Sequence, residues 1–152
     1  MVTKMVSPKY LGHLVLRVRD VPQAEKFYTA ILGLEVVSRE LGMVFLRASS
    51  SRSHELALAP LKDTISASSP SQGGLSHFAW QMESLDDLRK MYRHLKQEGV
   101  EIAGKGDHGI SIGVYFLDPD GNRIEVFYEL PQESWPSDRL FTGEFPMSLD
   151  EE

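Results

Sequence analysis

The sequence has no cysteine among its 152 residues, which excludes disulfides, thiolate metal sites and cysteine nucleophiles together. It also lacks an excess of base. Sixteen Lys and Arg against 22 Asp and Glu leave a net charge of −6, so no basic surface is on hand to neutralise phosphates and no nucleic-acid partner is expected. No stretch approaches the roughly 20 consecutive apolar residues that span a bilayer. The opening MVTKMVSPKY lacks the apolar centre of a signal peptide. A soluble, cytoplasmic protein with no membrane partner is the expectation. What the chain does have is 41% hydrophobic residues, enough at this length for the core of a single domain. Any chemistry therefore rests on His, Asp, Glu, Tyr or a bound metal.

The most informative pattern is an approximate duplication. "HLVLRVRDVPQAEKFYTAILGLEVV" from His13 is echoed by "HFAWQMESLDDLRKMYRHLKQEGVEI" from His77, and the same offset carries Tyr28 onto Tyr92. Each half opens with alternation: His13, Val15 and Arg17 on one face, Leu14, Leu16 and Val18 on the other, as in a strand. Helical spacing follows, with Ala24, Phe27, Tyr28, Ile31 and Leu32 in one stripe and Leu85, Leu88, Met91, Tyr92 and Leu95 in its counterpart. Pro22 suits a first helical turn, Ser84 an N-cap, and Gly33 and Gly99 the helix ends. Strand-like runs come next: 36–38, 43–47 and 54–59 in the first half, 113–117 and 123–128 in the second. Asp118-Pro119-Asp120-Gly121 signals the turn of a hairpin.

The sequence thus predicts an α+β protein of two βαβββ modules, whose two curved mixed sheets would face each other around a cleft. The expected division is an N-terminal extension over 1–9, a single domain over 10–131 and a C-terminal tail over 132–152. Within the domain, module one covers 10–60, a Ser-, Gly- and Pro-rich connector 61–75 and module two 76–131. Trp135, Leu140 and Phe141 are the tail residues suited to folding back.

Three polar residues stand out on these strands. His13 and His77 hold the same position in their halves and would converge by symmetry, and Glu125 interrupts the apolar run Ile124-Glu125-Val126-Phe127. A carboxylate buried there is costly unless neutralised or coordinated. Taken singly, each residue could be a hydrogen-bonded strand-end histidine or an edge glutamate. Together, two imidazoles and one carboxylate form the facial triad suited to non-haem Fe(II).

The segments "YLGHLVLRVRD…AEKFYTAILGLEVV", "GGLSHFAWQM" and "YFLDPDGNRIEVF" resemble the vicinal oxygen chelate superfamily (glyoxalase, bleomycin resistance protein, extradiol dioxygenase). Within it they resemble most the single-domain type I extradiol dioxygenases. The resemblance runs from about Tyr10 to Pro131 and implies a metal-binding cleft with His13, His77 and Glu125 as ligands. It implies Fe(II), with Mn(II) as the alternative metal, and a small aromatic diol and O₂ as substrates. "SHELALAP" is similar to the strand whose histidine acts as acid–base group, which makes His54 that group. "DHGIS" and "VYFLDP" likewise imply substrate-contacting roles for His108 and Tyr115. The family's habit and the exposed sheet edges imply a homo-oligomer.

One dipeptide carries a competing reading, because adjacent strand residues face opposite ways. Glu55 aligns within its module with Glu125 when "SHELALAP" is set against "NRIEVFYE". Four ligands, His13, Glu55, His77 and Glu125, would resemble a metal-dependent glyoxalase I using Ni or Zn without O₂. A non-catalytic drug-binding protein of the same fold is the third reading. The extradiol reading is preferred, since it gives work to His54, His108 and Tyr115.

Overall fold

The computed structural model describes residues 6–62, 73–137 and 141–151. The chain forms two compact units, Met1–Ser66 and Ala67–Glu152. Most of the expected connector, and Leu140 with it, lies outside the described residues.

In the first unit β1 (Leu14–Val18) leads into α1 (Val21–Leu32), then β2 (Glu35–Glu40), β3 (Met43–Arg47) and β4 (Leu56–Pro60). Local chemistry sets the helix. Asp20 caps its start by accepting from the Gln23 N–H at 2.9 Å, and Pro22 pre-sets the first turn. Gly33 ends it in the left-handed conformation, φ 67°, where a side chain would be strained. The sheet order is β1-β4-β3-β2, with β1 and β4 parallel and the rest antiparallel. A parallel neighbour needs a crossover, and α1 supplies it. Register then builds the core in rows: Leu16 pairs with Leu58 and Leu58 with Val44, while Leu14 pairs with Leu56 and Leu56 with Leu46. Ala24, Tyr28 and Ile31 of α1 are buried as well. Phe27 and Leu32, expected in the same stripe, are half-buried at its margin.

The second unit repeats the plan. It runs β5 (Phe78–Gln81), α2 (Leu85–Gln97), β6 (Ile102–Asp107), β7 (Ser111–Leu117) and β8 (Arg123–Glu129), in sheet order β5-β8-β7-β6. Ser84 caps α2, accepting from the Asp87 N–H at 3.1 Å. Asp86 and Asp87 lie at the helix start and Lys96 in its last turn, each sign matched to the helix dipole. Leu88, Tyr92 and Leu95 are its buried residues. Phe78–Ile124–Phe116 and Trp80–Val126–Val114 repeat the paired rows of the first unit. The expected turn after β7 is held by Asp118, whose carboxylate accepts from the backbone N–H groups of Asp120 (2.9 Å) and Asn122 (2.8 Å). Gly121 supplies the positive φ of 86°.

The strand β6 has no counterpart among the sequence-predicted runs. Its sequence, IAGKGD, carries two glycines and two charges, which hide its alternation. Even its irregularity is duplicated: register shifts fall between Val36 and Ser38 in β2 and between Ile102 and Gly104 in β6.

The tail also differs from expectation. Phe141 is exposed, whereas Phe145 and Leu149 are buried at 7% and 4% exposure. Trp135 is half-buried and donates its indole N–H to the Leu130 carbonyl at 2.8 Å.

Candidate functional site

The apolar rows Phe78–Ile124–Phe116 and Trp80–Val126–Val114 fill one face of the second sheet, and Glu125 and Tyr115 stand on the opposite face. On that opposite face of the second sheet, register sets Ala79, Glu125, Tyr115 and Gly104 in one row across β5, β8, β7 and β6. The next row is Gln81, Phe127, Gly113 and Gly106. His77 immediately precedes β5. Glu125 is only 7% exposed, yet its carboxylate meets the His77 Nε2 at 3.3 Å. The Tyr115 ring stands edge-on to His77, with centroids 5.2 Å apart. Burial pushes the Tyr115 phenol above its ordinary pKa, and its hydrogen bond to the Glu125 carboxylate adds to the rise. The Arg123 guanidinium lies over the same ring at 4.4 Å and pulls the other way.

Two glycines make this grouping possible, and neither was singled out from sequence. A Cβ on Gly113 would stand 2.3 Å from Glu125 Oε1, so the carboxylate occupies the space a side chain would fill. A Cβ on Gly106 would meet Tyr115 Cε2 at 2.9 Å, Tyr115 Oη at 3.2 Å and His108 Nε2 at 3.4 Å. His108 and Tyr115 therefore crowd one bare patch of backbone. A glycine inside a strand is the general signal for such an approach.

In the first unit His13 precedes β1 and His54 precedes β4. Their rings are 4.5 Å apart between centroids, and Phe45 packs edge-on against His54 at 5.3 Å. Ser53 Oγ is 3.2 Å from His54 Nδ1.

The alignment of Glu55 with Glu125 does not survive the register. The row that corresponds to Ala79–Glu125–Tyr115–Gly104 is Val15–Ala57–Phe45–Ser38. The symmetry mate of Glu125 is thus Ala57, and that of Tyr115 is Phe45. Glu55 precedes β4 and closes a loop instead, its Oε2 accepting from the N–H groups of Ala48 (2.6 Å) and Ser49 (3.2 Å). The two strand sequences look alike because each carries a glutamate near its start, while the register is set by pairing across the sheet.

The structure therefore brings together His77, Glu125 and Tyr115, with His108 close to Tyr115, and separately His13 with His54. Among the described residues, no group of three or more His, Asp or Glu is gathered so as to hold a metal. The His77–Glu125 pair nonetheless fits a divalent cation. A nearly buried carboxylate with an imidazole nitrogen opposite, over a floor kept clear by Gly113, is a donor set short of compensating charge.

Comparison with known proteins adds a lineage to this geometry. The pattern of the Glyoxalase/Bleomycin resistance protein/Dioxygenase superfamily matches residues 10–126. A biphenyl-2,3-diol 1,2-dioxygenase of Rhodococcus globerulus is 30% identical over 132 residues, 85% of this chain and 69% of its own length. A catechol-2,3-dioxygenase of Bacillus subtilis is 30% identical over 140 residues, 90% of this chain and 47% of its own. A glutathione transferase of Serratia marcescens also matches, 28% identical over 76% of this chain and 78% of its own. The chain thus spans from about half to little more than two thirds of the two dioxygenases. Among solved structures, a glyoxalase/dioxygenase of Nostoc punctiforme superposes with a TM-score of 0.70 at 21% identity, covering 86% of this chain and 100% of that one.

Proposed function

The chain belongs to the glyoxalase/bleomycin resistance protein/dioxygenase superfamily, and we propose that it is an extradiol dioxygenase that opens a catechol-type ring with O₂. Its metal is Fe(II), with Mn(II) as the alternative, held by His13, His77 and Glu125. The observation that carries this reading is the asymmetry of the two matching rows: where the second unit has Glu125 and Tyr115, the first has Ala57 and Phe45. Two histidines and one carboxylate leave open positions for a diol and O₂. A four-ligand site needs a second carboxylate where Ala57 stands, and Glu55 is engaged with loop backbone. The dioxygenases that match at 30% identity give further support.

When bound, the metal supplies chelation of both diol oxygens, which makes their protons easier to remove, and a meeting point for ring and O₂. The chain's own groups do the rest. His54, in the tautomer that donates Nδ1–H to Ser53 Oγ, presents Nε2 to take a proton from the diol and to give it back to the ring-opened product. Tyr115 stays protonated, because burial and the neighbouring carboxylate both oppose its ionisation, so its one O–H is held by Glu125 and reaches a substrate oxygen only by turning away from that carboxylate. His108, beside Tyr115 over Gly106, is a second substrate contact.

Protein purified without oxygen should carry about one Fe(II) per chain. Replacing His54 by Ala should then slow turnover of a catechol by about 10²–10⁴-fold with metal content intact, the usual worth of a positioned acid–base group. Tightly held Zn or Ni with no diol-dependent O₂ uptake overturns the reading. Loss of metal in His54→Ala would instead make His54 a ligand.

A further inference from the structure

We infer that Asp107, together with a C-terminal strap over residues 143–151, positions His108 against the Gly106–Tyr115 patch. This rests on the reading of His108 as a substrate contact.

Asp107 ends β6 and immediately precedes His108. Its Oδ1 accepts two backbone hydrogen bonds at once, from Gly109 N–H at 2.9 Å and from Phe145 N–H at 2.8 Å. One carboxylate oxygen thus ties the far side of the His108 turn to the strap. The two segments also touch directly, since a Cβ on Gly109 would come within 3.1 Å of the Gly143 backbone. Gly109 has φ +76°, so this turn is built on a conformation that side chains avoid.

The strap is fastened along its length. Phe145 packs edge-on against Tyr128 at 6.3 Å, and Phe145 and Leu149 are buried. Lys105 Nζ meets Asp150 at 3.0 Å, and Arg89 of α2 donates to the Ser148 carbonyl at 2.6 Å. Apolar burial anchors the segment, but it gives no reason for Asp107 to accept from both sides. A turn held this way fixes where His108 stands. The His108 backbone N–H is spent on Ser111 O at 2.9 Å, so side-chain placement follows the turn. His108 Nε2 and Tyr115 Oη both lie against Gly106, and a small rotation of the turn separates them.

Asp107 is a positioning residue rather than a catalytic one. Its test uses the full chain, the variants Asp107→Ala, Asp107→Asn and His108→Ala, and a chain ending at residue 142. The first readout is amide hydrogen exchange at Gly109 with the NMR signals of the His108 ring. In Asp107→Ala, exchange at Gly109 should rise about tenfold, as for one lost hydrogen bond to a charged group. The His108 ring signals should move, and Asp107→Asn, which keeps an accepting oxygen, should largely restore both. The shortened chain keeps the bond from Gly109 to Asp107 and should move the His108 ring signals with a smaller rise in Gly109 exchange, and if it fails to fold the point variants decide. The second readout is steady-state turnover of a catechol. Asp107→Ala should raise KM about tenfold with kcat little changed, and add nothing to His108→Ala. Unchanged Gly109 exchange and His108 signals in Asp107→Ala overturn the inference, as do independent effects in the double variant. A wild-type protein that consumes no diol overturns the proposed function instead, and the exchange readout still decides the strap.

Discussion

At the scale of single residues, the site depends on atoms that are absent as much as on those present. Glu125 can lie at the surface of a strand and still be nearly buried because Gly113 offers no Cβ to the space its carboxylate takes. Replacing Gly113 by Ala should therefore expel the carboxylate or shift β7. The expected result is loss of stoichiometric metal, read by elemental analysis, with stability reduced by about 1–3 kcal/mol as for overpacking. Retained metal at normal stability would mean the carboxylate has room elsewhere. Glu55 makes the opposite forecast. Glu55→Gln keeps one accepting oxygen for Ala48 and Ser49 and should leave metal content unchanged, with a loss of about 1 kcal/mol read from thermal unfolding. Metal loss in that variant would revive the four-ligand site. Candidate residues such as His13, His77 and Glu125 were visible in the sequence because polar side chains interrupt apolar strands. Gly106 and Gly113 were not, because a glycine's role here is a distance to a neighbour that no pattern encodes. The pairing of Ala57 with Glu125 stayed hidden too, since strand register is fixed by pairing across the sheet rather than along the chain.

At the scale of elements, the helices were the most legible part. Their apolar spacing, the Ser84 cap and the glycine ends all express local chemistry that survives folding unchanged. Strand β1 followed the expected alternation, burying Leu16 and Val18, whereas β6 was lost to its glycines. The tail's anchors at Phe145 and Leu149 were missed because two isolated apolar residues in an aperiodic segment carry no period. One element contact has a pH signature. Arg39 of β2 forms a forked pair with Glu25 of α1, at 3.0 Å from Nε, and holds the Glu25 carboxyl below its ordinary value of 4.5. A carboxyl with a lower pKa folded than unfolded adds stability above the unfolded value and loses it as pH falls through the folded one. Glu25→Gln should thus cost stability at pH 7 and nothing once the solution is well below pH 4. The partly exposed pair limits the effect to about 0.2–1 kcal/mol, read as the difference between urea midpoints of the two proteins at each pH. An equal loss at both ends of the range would assign the effect to packing.

At the scale of the whole molecule, the duplication gives two units of one plan with unequal work. The second unit carries the carboxylate, the phenol and the strapped turn; the first carries the paired rings of His13 and His54. Only the matched rows show that Ala57 and Phe45 stand in the first unit where Glu125 and Tyr115 stand in the second. No helix among the described residues is long and apolar enough to cross a membrane, in keeping with the absence of any long apolar run. The central claim is ring opening by O₂, and oxygen uptake tests it most directly. Iron-loaded protein given a panel of catechols under ¹⁸O₂ should consume about one O₂ per diol and place both labelled atoms in a ring-opened product, as an extradiol dioxygenase must. Diol left intact with no oxygen consumed, or oxygen consumed only to make quinone and peroxide, would contradict the account.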